Sequence, residues 1–170
     1  MELPPQAIGT PMPVVIDSEN FTPRLVSLLS NSLVWRESSV LRARFGLGTN
    51  DWRVISAIGI RPGMTASEIS EFVAMNKAIV SKSVAVLTER RLIVQAEESG
   101  RSRRLFLTPA GAEMHDAMMP ISMRGQEIIL GGLSEDDVVQ LNELLRRLLA
   151  RVPDLRAEDG LAEPDDVDLV

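Results

Sequence analysis

Between Asn76 and Arg104 the chain sets seven basic side chains against three acidic ones, a local net charge of +4. The basic residues are Lys77, Lys82, Arg90, Arg91, Arg101, Arg103 and Arg104. Cationic side chains at this density suit contact with phosphate, and a local patch matters more for that than the net charge of the whole chain. On a helical wheel of about 100° per residue, Val80, Val84 and Leu87 form a tight apolar stripe. Ala78, Ser81, Lys82, Ala85 and Glu89 fall on the other side. Small side chains let a helix backbone sit deep in a DNA major groove, where Ser81 and Lys82 reach base edges and phosphates. Taken alone, the same pattern also fits an ordinary solvated helix face. Arg101, Arg103 and Arg104 crowd a turn, where their charges repel one another and stabilise nothing evident. A solvated hairpin tip would account for them, but arginine at a tip also suits the strongly negative potential of a narrow minor groove.

These residues need elements to position them. Thr65 and Glu68 have the spacing of a capping box and open a short third helix with Ile69, Phe72 and Val73 inward. Asn76 caps a fourth helix over about 77–90, the one carrying the groove-facing residues. Leu92–Glu97 and Arg104–Thr108 read as short strands; in the second, Leu105 and Leu107 point one way and Arg104 and Phe106 the other. Gly100 gives the turn between them its backbone freedom. The order is helix, turn, helix, then a two-stranded wing. Upstream, Thr22-Pro23 starts a first helix that runs to about Arg44 and is stopped by Gly46 and Gly48. Thr49-Asn50-Asp51 offers caps for a second, with Val54, Ile55 and Ile58 inward. Downstream, Thr108-Pro109 starts a fifth helix that Pro120 kinks or splits and Gly131-Gly132 ends. Ser134 caps the last helix, where Val138, Leu141, Leu145, Leu148 and Val152 form a heptad seam of about two turns, closed by Pro153. Packing within the chain is the competing reading of that seam.

Composition narrows the function classes. The 170 residues include no Cys, no Tyr and one His, which excludes disulfides and thiol redox switching and leaves few candidate nucleophiles or general bases. Gly46-Leu47-Gly48 lacks the third glycine and the preceding strand of a dinucleotide site. The chain is therefore expected to be no enzyme, with no cofactor and no metal. The net charge of −6 does not count against nucleic acid, because residues 153–170 alone carry one Arg against seven acidic side chains. MELPPQAIGTPMPVV has neither the basic start nor the apolar core of a signal peptide, and no apolar run reaches membrane-spanning length. A cytoplasmic protein without membrane contact is expected.

The run DWRVISAI, followed by MTASEISEFVAMNKAIVSKSVAVLTERRLIVQAEESGRSRRLFLTPAG, resembles the multiple-antibiotic-resistance regulators, the MarR family. The resemblance extends over about residues 22–152. Its most specific parts are Val80-Ser81-Lys82 with Val84 and Leu87, then Leu92-Ile93, then Leu107-Thr108-Pro109-Ala110-Gly111. It implies a mainly α fold with a small β-wing, a winged helix-turn-helix domain plus a helical dimerisation domain. Residues 1–20 are then a flexible proline-rich arm, and 21–48 with 109–152 the helical dimerisation region. Residues 49–108 are the winged-helix DNA-binding domain, and 153–170 an acidic disordered tail. The family's wing carries an Asp, any residue, then an Arg. Here the Arg is Arg101, while Ser99 stands where the Asp is expected.

The resemblance implies a homodimeric transcription factor and repressor, with double-stranded DNA and a second copy of itself as partners. The DNA-binding candidates are Thr65, Asn76, Lys77, Ala78, Ser81, Lys82, Ala85, Arg101, Arg103 and Arg104, and the dimer seam is Val138, Leu141, Leu145, Leu148 and Val152. It further implies a small aromatic or phenolic effector near Trp35, Ser39, Arg42, Trp52, Arg53 and His115. Trp52 also reads as a core side chain and His115 as a partly buried helix residue. A winged helix used only for protein contact is the remaining alternative. It would favour apolar or acidic residues on the outward face of the fourth helix, and Ala78, Ser81, Lys82 and Ala85 are neither acidic nor strongly apolar.

Overall fold

The structure is a computed structural model and describes residues 4, 6–97 and 103–158. Two compact units partition the chain, residues 1–35 and 36–170. Seven helices and one two-stranded sheet lie among the described residues. They are α1 (Thr22–Phe45), α2 (Thr49–Ile60), α3 (Ala66–Phe72), α4 (Lys77–Glu89), β1 (Ile93–Glu97), β2 (Arg103–Leu107), α5 (Pro109–Leu130), α6 (Glu135–Leu149) and α7 (Val152–Glu158).

Local sequence explains most of the boundaries. Arg42 and Arg44 lie in the last turn of α1, where positive charge meets the negative end of the helix dipole. Gly46, at φ +64°, then ends the helix, its N–H donating to Arg42 O at 3.0 Å. The cap of α2 is Gly48, one residue earlier than the sequence suggested, because the Asp51 carboxylate accepts the Gly48 N–H at 2.8 Å. Thr49 is thereby drawn into the helix and buried. At α3 the expected capping box is complete: the Glu68 N–H donates to Thr65 Oγ1 at 3.2 Å, and the Thr65 N–H to Glu68 Oε2 at 2.7 Å. The turn into α4 is closed by buried Ser70, whose hydroxyl donates to Met75 O at 2.5 Å. Asn76 Oδ1 then accepts the Ala78 N–H at 2.7 Å and starts α4.

The wing pairs antiparallel, with Ile93 opposite Leu107 and Gln95 opposite Leu105. β1 starts one residue later than expected and ends where expected, and β2 is displaced by one residue toward the N-terminus. Leu92 is not in the strand: its N–H bonds Leu87 O at 2.9 Å, closing the end of α4. Thr108 is not in its strand either, since its hydroxyl accepts the Gly111 N–H at 3.0 Å as the cap of α5. Met64 adds a bridge on the far side of β2, with Leu105 N–H to Met64 O at 3.0 Å and Gly63 N–H to Leu105 O at 2.9 Å.

Neither Pro120 nor Pro153 breaks a helix. Pro120 lies inside α5 without splitting it: the helix is continuous from Pro109 to Leu130, with one backbone donor lost. Pro153 does not end the last predicted helix either: α6 stops at Leu149, which leaves Val152 of the heptad seam outside it, in α7. Pro153 takes an early position in α7, where a missing N–H costs nothing. An Arg151–Asp154 ion pair at 2.8 Å spans that turn. Ser99 and Arg101, and residues 159–170 of the acidic tail, lie outside the described residues.

The core of the second unit gathers Leu41, Leu47, Trp52, Val54, Ile55, Ile58, Ile69, Val80, Leu87, Ile93, Leu105 and Met118. Each such side chain contributes on the order of 1.5–3 kcal/mol on burial. Beyond the core, Arg36 Nη1 donates to Ile121 O at 3.1 Å, and the Ser122 hydroxyl donates to Glu37. These bonds fix the second half of α1 to α5 just past Pro120. α6 has no buried residue. No described helix is long and apolar enough to cross a membrane.

Arg91 closes α4 in the left-handed region, at φ +59°, where a side chain is strained. Arg91→Gly is expected to raise stability by about 0.5–1 kcal/mol, the relief of strain outweighing the added freedom of the unfolded chain. A rise of a few degrees in Tm checks it, and a fall contradicts it.

Candidate nucleic-acid interface

The apolar stripe of α4 packs as its spacing requires. Val80 and Leu87 are completely buried and Val84 nearly so, joined by Ser83. Ala78, Ser81, Lys82 and Ala85 are exposed together on the opposite face. That surface presents three small side chains and one cation, with Glu89 exposed at its C-terminal end. Thr65 and Asn76 lie at the starts of α3 and α4 with their side-chain oxygens engaged as caps. Lys77 is half-buried.

The two described wing arginines differ. Arg103 is exposed, and its Nη1 donates across the hairpin to Gln95 Oε1 at 3.2 Å. Arg104 is half-buried and turns inward, its Nη1 donating to Gly63 O at 3.0 Å and lying 3.5 Å from Glu68 Oε2. Glu68 thus belongs both to the α3 capping box and to a link with β2. Its carboxyl is held below its ordinary value, first by the Thr65 backbone N–H, then by the Thr65 hydroxyl, with the Arg104 charge adding to them against desolvation. A depressed folded-state pKa means that the contribution is complete above the ordinary carboxylate range and is lost as pH falls through it. Glu68→Gln, which cannot titrate, is expected to flatten part of the fall in Tm between about pH 5 and 3. An unchanged acid profile would contradict this.

The candidate effector residues are not uniformly placed. Trp35 belongs to the first unit and is 79% exposed. Ser39 and Arg42 are exposed on α1, Arg42 Nε donating to Ser38 Oγ at 3.1 Å. Arg53 is half-buried on α2. The structure brings Trp52 and His115 together: their ring centroids are 5.4 Å apart, tilted by 37°, with Trp52 buried in the core. His115 Nδ1 lies 3.0 Å from the Asp116 carboxylate. Gly59 makes room for that ring, since a Cβ there would approach His115 Cδ2 to 3.3 Å. Sequence reasoning did not find an open groove of about 370 Å³ lined by Arg61, Met64, Glu68, Glu71 and Phe72. The Arg61 guanidinium sits 4.8 Å from the centre of the Phe72 ring. Among the described residues, no cluster of three His, Cys, Asp or Glu side chains is placed to hold a metal ion.

A cap-closed α3, a tight turn, α4 with an exposed small-residue face and an antiparallel wing define a winged helix-turn-helix protein. Residues 45–105 match the model of the MarR family. The fold is that of a MarR/EmrR family transcriptional regulator from Acinetobacter sp. ADP1, with a TM-score of 0.76 and 26% identity over 82% of this chain and 99% of that one. A MarR family regulator from Listeria monocytogenes, solved in complex with a 26mer DNA, superposes with a TM-score of 0.75 at 14% identity, covering 83% of this chain and 96% of that one. The PcaV transcriptional regulator from Streptomyces coelicolor, solved with its natural ligand, superposes with a TM-score of 0.68 at 20% identity, covering 81% and 97%. No curated protein matches the chain by sequence. On the matched segment and the fold, the chain is similar to the MarR family of transcriptional regulators.

Proposed function

We propose that the protein is a homodimeric repressor that reads a pseudo-palindromic operator through α4 and the wing and is released by a small aromatic or phenolic ligand. The observation that carries the reading is the exposed Ala78, Ser81, Lys82 and Ala85 face, set directly opposite the buried Val80, Val84 and Leu87 stripe. A helix anchored along one side by its core stripe keeps the other side free for a groove. Ser81 and Lys82 then supply hydrogen bonds and charge, and Lys77, Arg101 and Arg103 the phosphate or minor-groove contacts.

Support for a dimer comes from α6 and the first residue of α7. Of the seam residues, Val138 and Leu141 are half-buried and Leu145, Leu148 and Val152 exposed, with Val139, Leu144 and Leu149 exposed beside them. A second copy would cover this apolar surface and set two α4 helices about one DNA turn, roughly 34 Å, apart. With about five phosphates neutralised per subunit, log K falls against log[salt] with a slope of about −9. The DNA-bound Listeria and ligand-bound Streptomyces neighbours support DNA and a small molecule as partners. Half-buried His115, backed by the buried Trp52 ring, offers a contact for an aromatic ring, and Arg42 or Arg53 a cation for a carboxylate.

Fluorescence anisotropy with labelled duplexes from the upstream region of the chain's own gene tests this. Binding at low salt, abolished by one member of a panel of aromatic acids, aldehydes or thioesters, is the expected result. No binding at low salt contradicts the DNA reading, and binding indifferent to the whole panel contradicts the proposed ligand class.

A further inference from the structure

Arg90 is the C-cap residue of α4, its backbone N–H donating to Val86 O at 3.0 Å, but its side chain turns away from that helix. Its guanidinium reaches across to the end of α1, Nη1 donating to Phe45 O at 2.8 Å and Nη2 to Gly46 O at 2.9 Å. Both acceptors belong to the unit that carries α4. The last carbonyls of a helix have no partner within it and carry its negative dipole end. A planar fork with fixed charge is suited to satisfying one of them together with the carbonyl of the residue that follows the helix, and a point-like ammonium matches that pair less well. The local backbone is shaped for this contact. Gly46 takes a left-handed conformation, and a Cβ there would lie 3.1 Å from Arg90 Nη2. By sequence Arg90 belongs with the basic residues of the DNA-binding patch, but its donors toward α1 are already spent on protein carbonyls.

We infer that Arg90 is a positioning residue, not a phosphate contact: it pins the C-terminal end of the recognition helix α4 to the end of α1 and so sets the half-site spacing that a dimer accepts. The inference rests on the proposed DNA-binding dimer. In that dimer α1 belongs to the fixed frame and α4 enters the groove. The tie at Arg90 then limits how far each α4 swings relative to the frame, and with it the distance between the two reading heads. Releasing the tie leaves the reading face of α4 unaltered and loosens its placement.

The test begins with a duplex selected by the wild-type protein from a random pool, then remade with the half-sites moved apart or together by one base pair. Arg90→Met removes both bonds and keeps the stem, and Arg90→Lys keeps the charge without the fork. A coupling of this kind is worth about 3- to 30-fold. Wild type should lose at least about tenfold in affinity on either respaced duplex, and R90M less than about threefold, with R90K between them. The salt slope of R90M on the selected duplex should equal that of wild type. A salt slope shallower by about 0.9 per subunit, with spacing discrimination intact, would make Arg90 a phosphate contact and overturn the inference. Reduced thermal stability with spacing preference and salt slope both unchanged would make it a purely structural cap and overturn it equally. If R90M does not fold, R90K against wild type carries the same comparison. A wild-type protein that selects no duplex fails the DNA reading itself, and this inference with it, and is told apart by the wild-type arm alone.

Discussion

Ala85→Glu is expected to weaken DNA binding by at least about 100-fold while leaving the fold and its stability nearly unchanged. Ala85 lies on the exposed face of α4, beside Ser81 and Lys82 and away from buried Val84 and Leu87. Glutamate is a good helix former, and at a solvated position it costs the helix a few tenths of a kcal/mol. Against DNA the same carboxylate has no escape. In the proposed complex it would sit where the helix backbone comes closest to the groove, between two rows of phosphates, and like-charge juxtaposition at an interface costs several kcal/mol. Each 1.4 kcal/mol is about tenfold in affinity, and a dimer incurs the penalty twice. Anisotropy on a bound duplex, with circular dichroism as the folding control, checks the result. Unchanged affinity would remove α4 from the interface.

Gly111→Ala is expected to act on the fold itself, at about 3 kcal/mol, the upper range for inserting atoms into a packed site. A Cβ at Gly111 would lie 1.9 Å from the Leu92 carbonyl oxygen and 2.9 Å from its carbon. That carbonyl cannot swing aside, because it accepts the Thr108 N–H at 3.0 Å. The Thr108 hydroxyl ties the same turn, donating to Arg91 O at 2.8 Å and accepting the Gly111 N–H. One buried glycine thus lets the first turn of α5 press against the strand entry at the end of α4. The alanine must push α5 away from the wing or break these bonds. A Tm lower by roughly 10 °C is expected for a chain of this size. Gly132→Ala is the control, since a Cβ there meets nothing within 4 Å. Equal, small effects at both positions would refute the packing argument.

What was legible in the sequence was what repeats at short range. The period of α4 separated its core stripe from its outward face, and strand alternation sorted Leu105 from Arg104. Caps at Thr65, Asn76, Thr108 and Ser134 announced their helices, because each needs only a few adjacent residues. Contacts that join distant parts of the chain left no such signature. Arg90 and Arg104 look like phosphate ligands in a charge count, yet each donates to backbone carbonyls more than 40 residues away. Met64 carries no strand pattern and still bridges Leu105, since a single bridge needs no alternation. Trp52 and His115 were both named as candidates, but nothing in their neighbours foretold that their rings would meet. The cap of α2 passed to Gly48 because Asp51 reached the backbone ahead of Thr49, a competition between acceptors that residue type alone does not decide.

The central claim is that two copies of this chain present two α4 helices to successive major grooves. A hydroxyl-radical footprint on the duplex that the protein binds most tightly tests it directly. The account predicts two symmetrical protected patches with centres about 10 base pairs apart, both lost in Ala85→Glu. A single patch, or no protection at low salt, would contradict it.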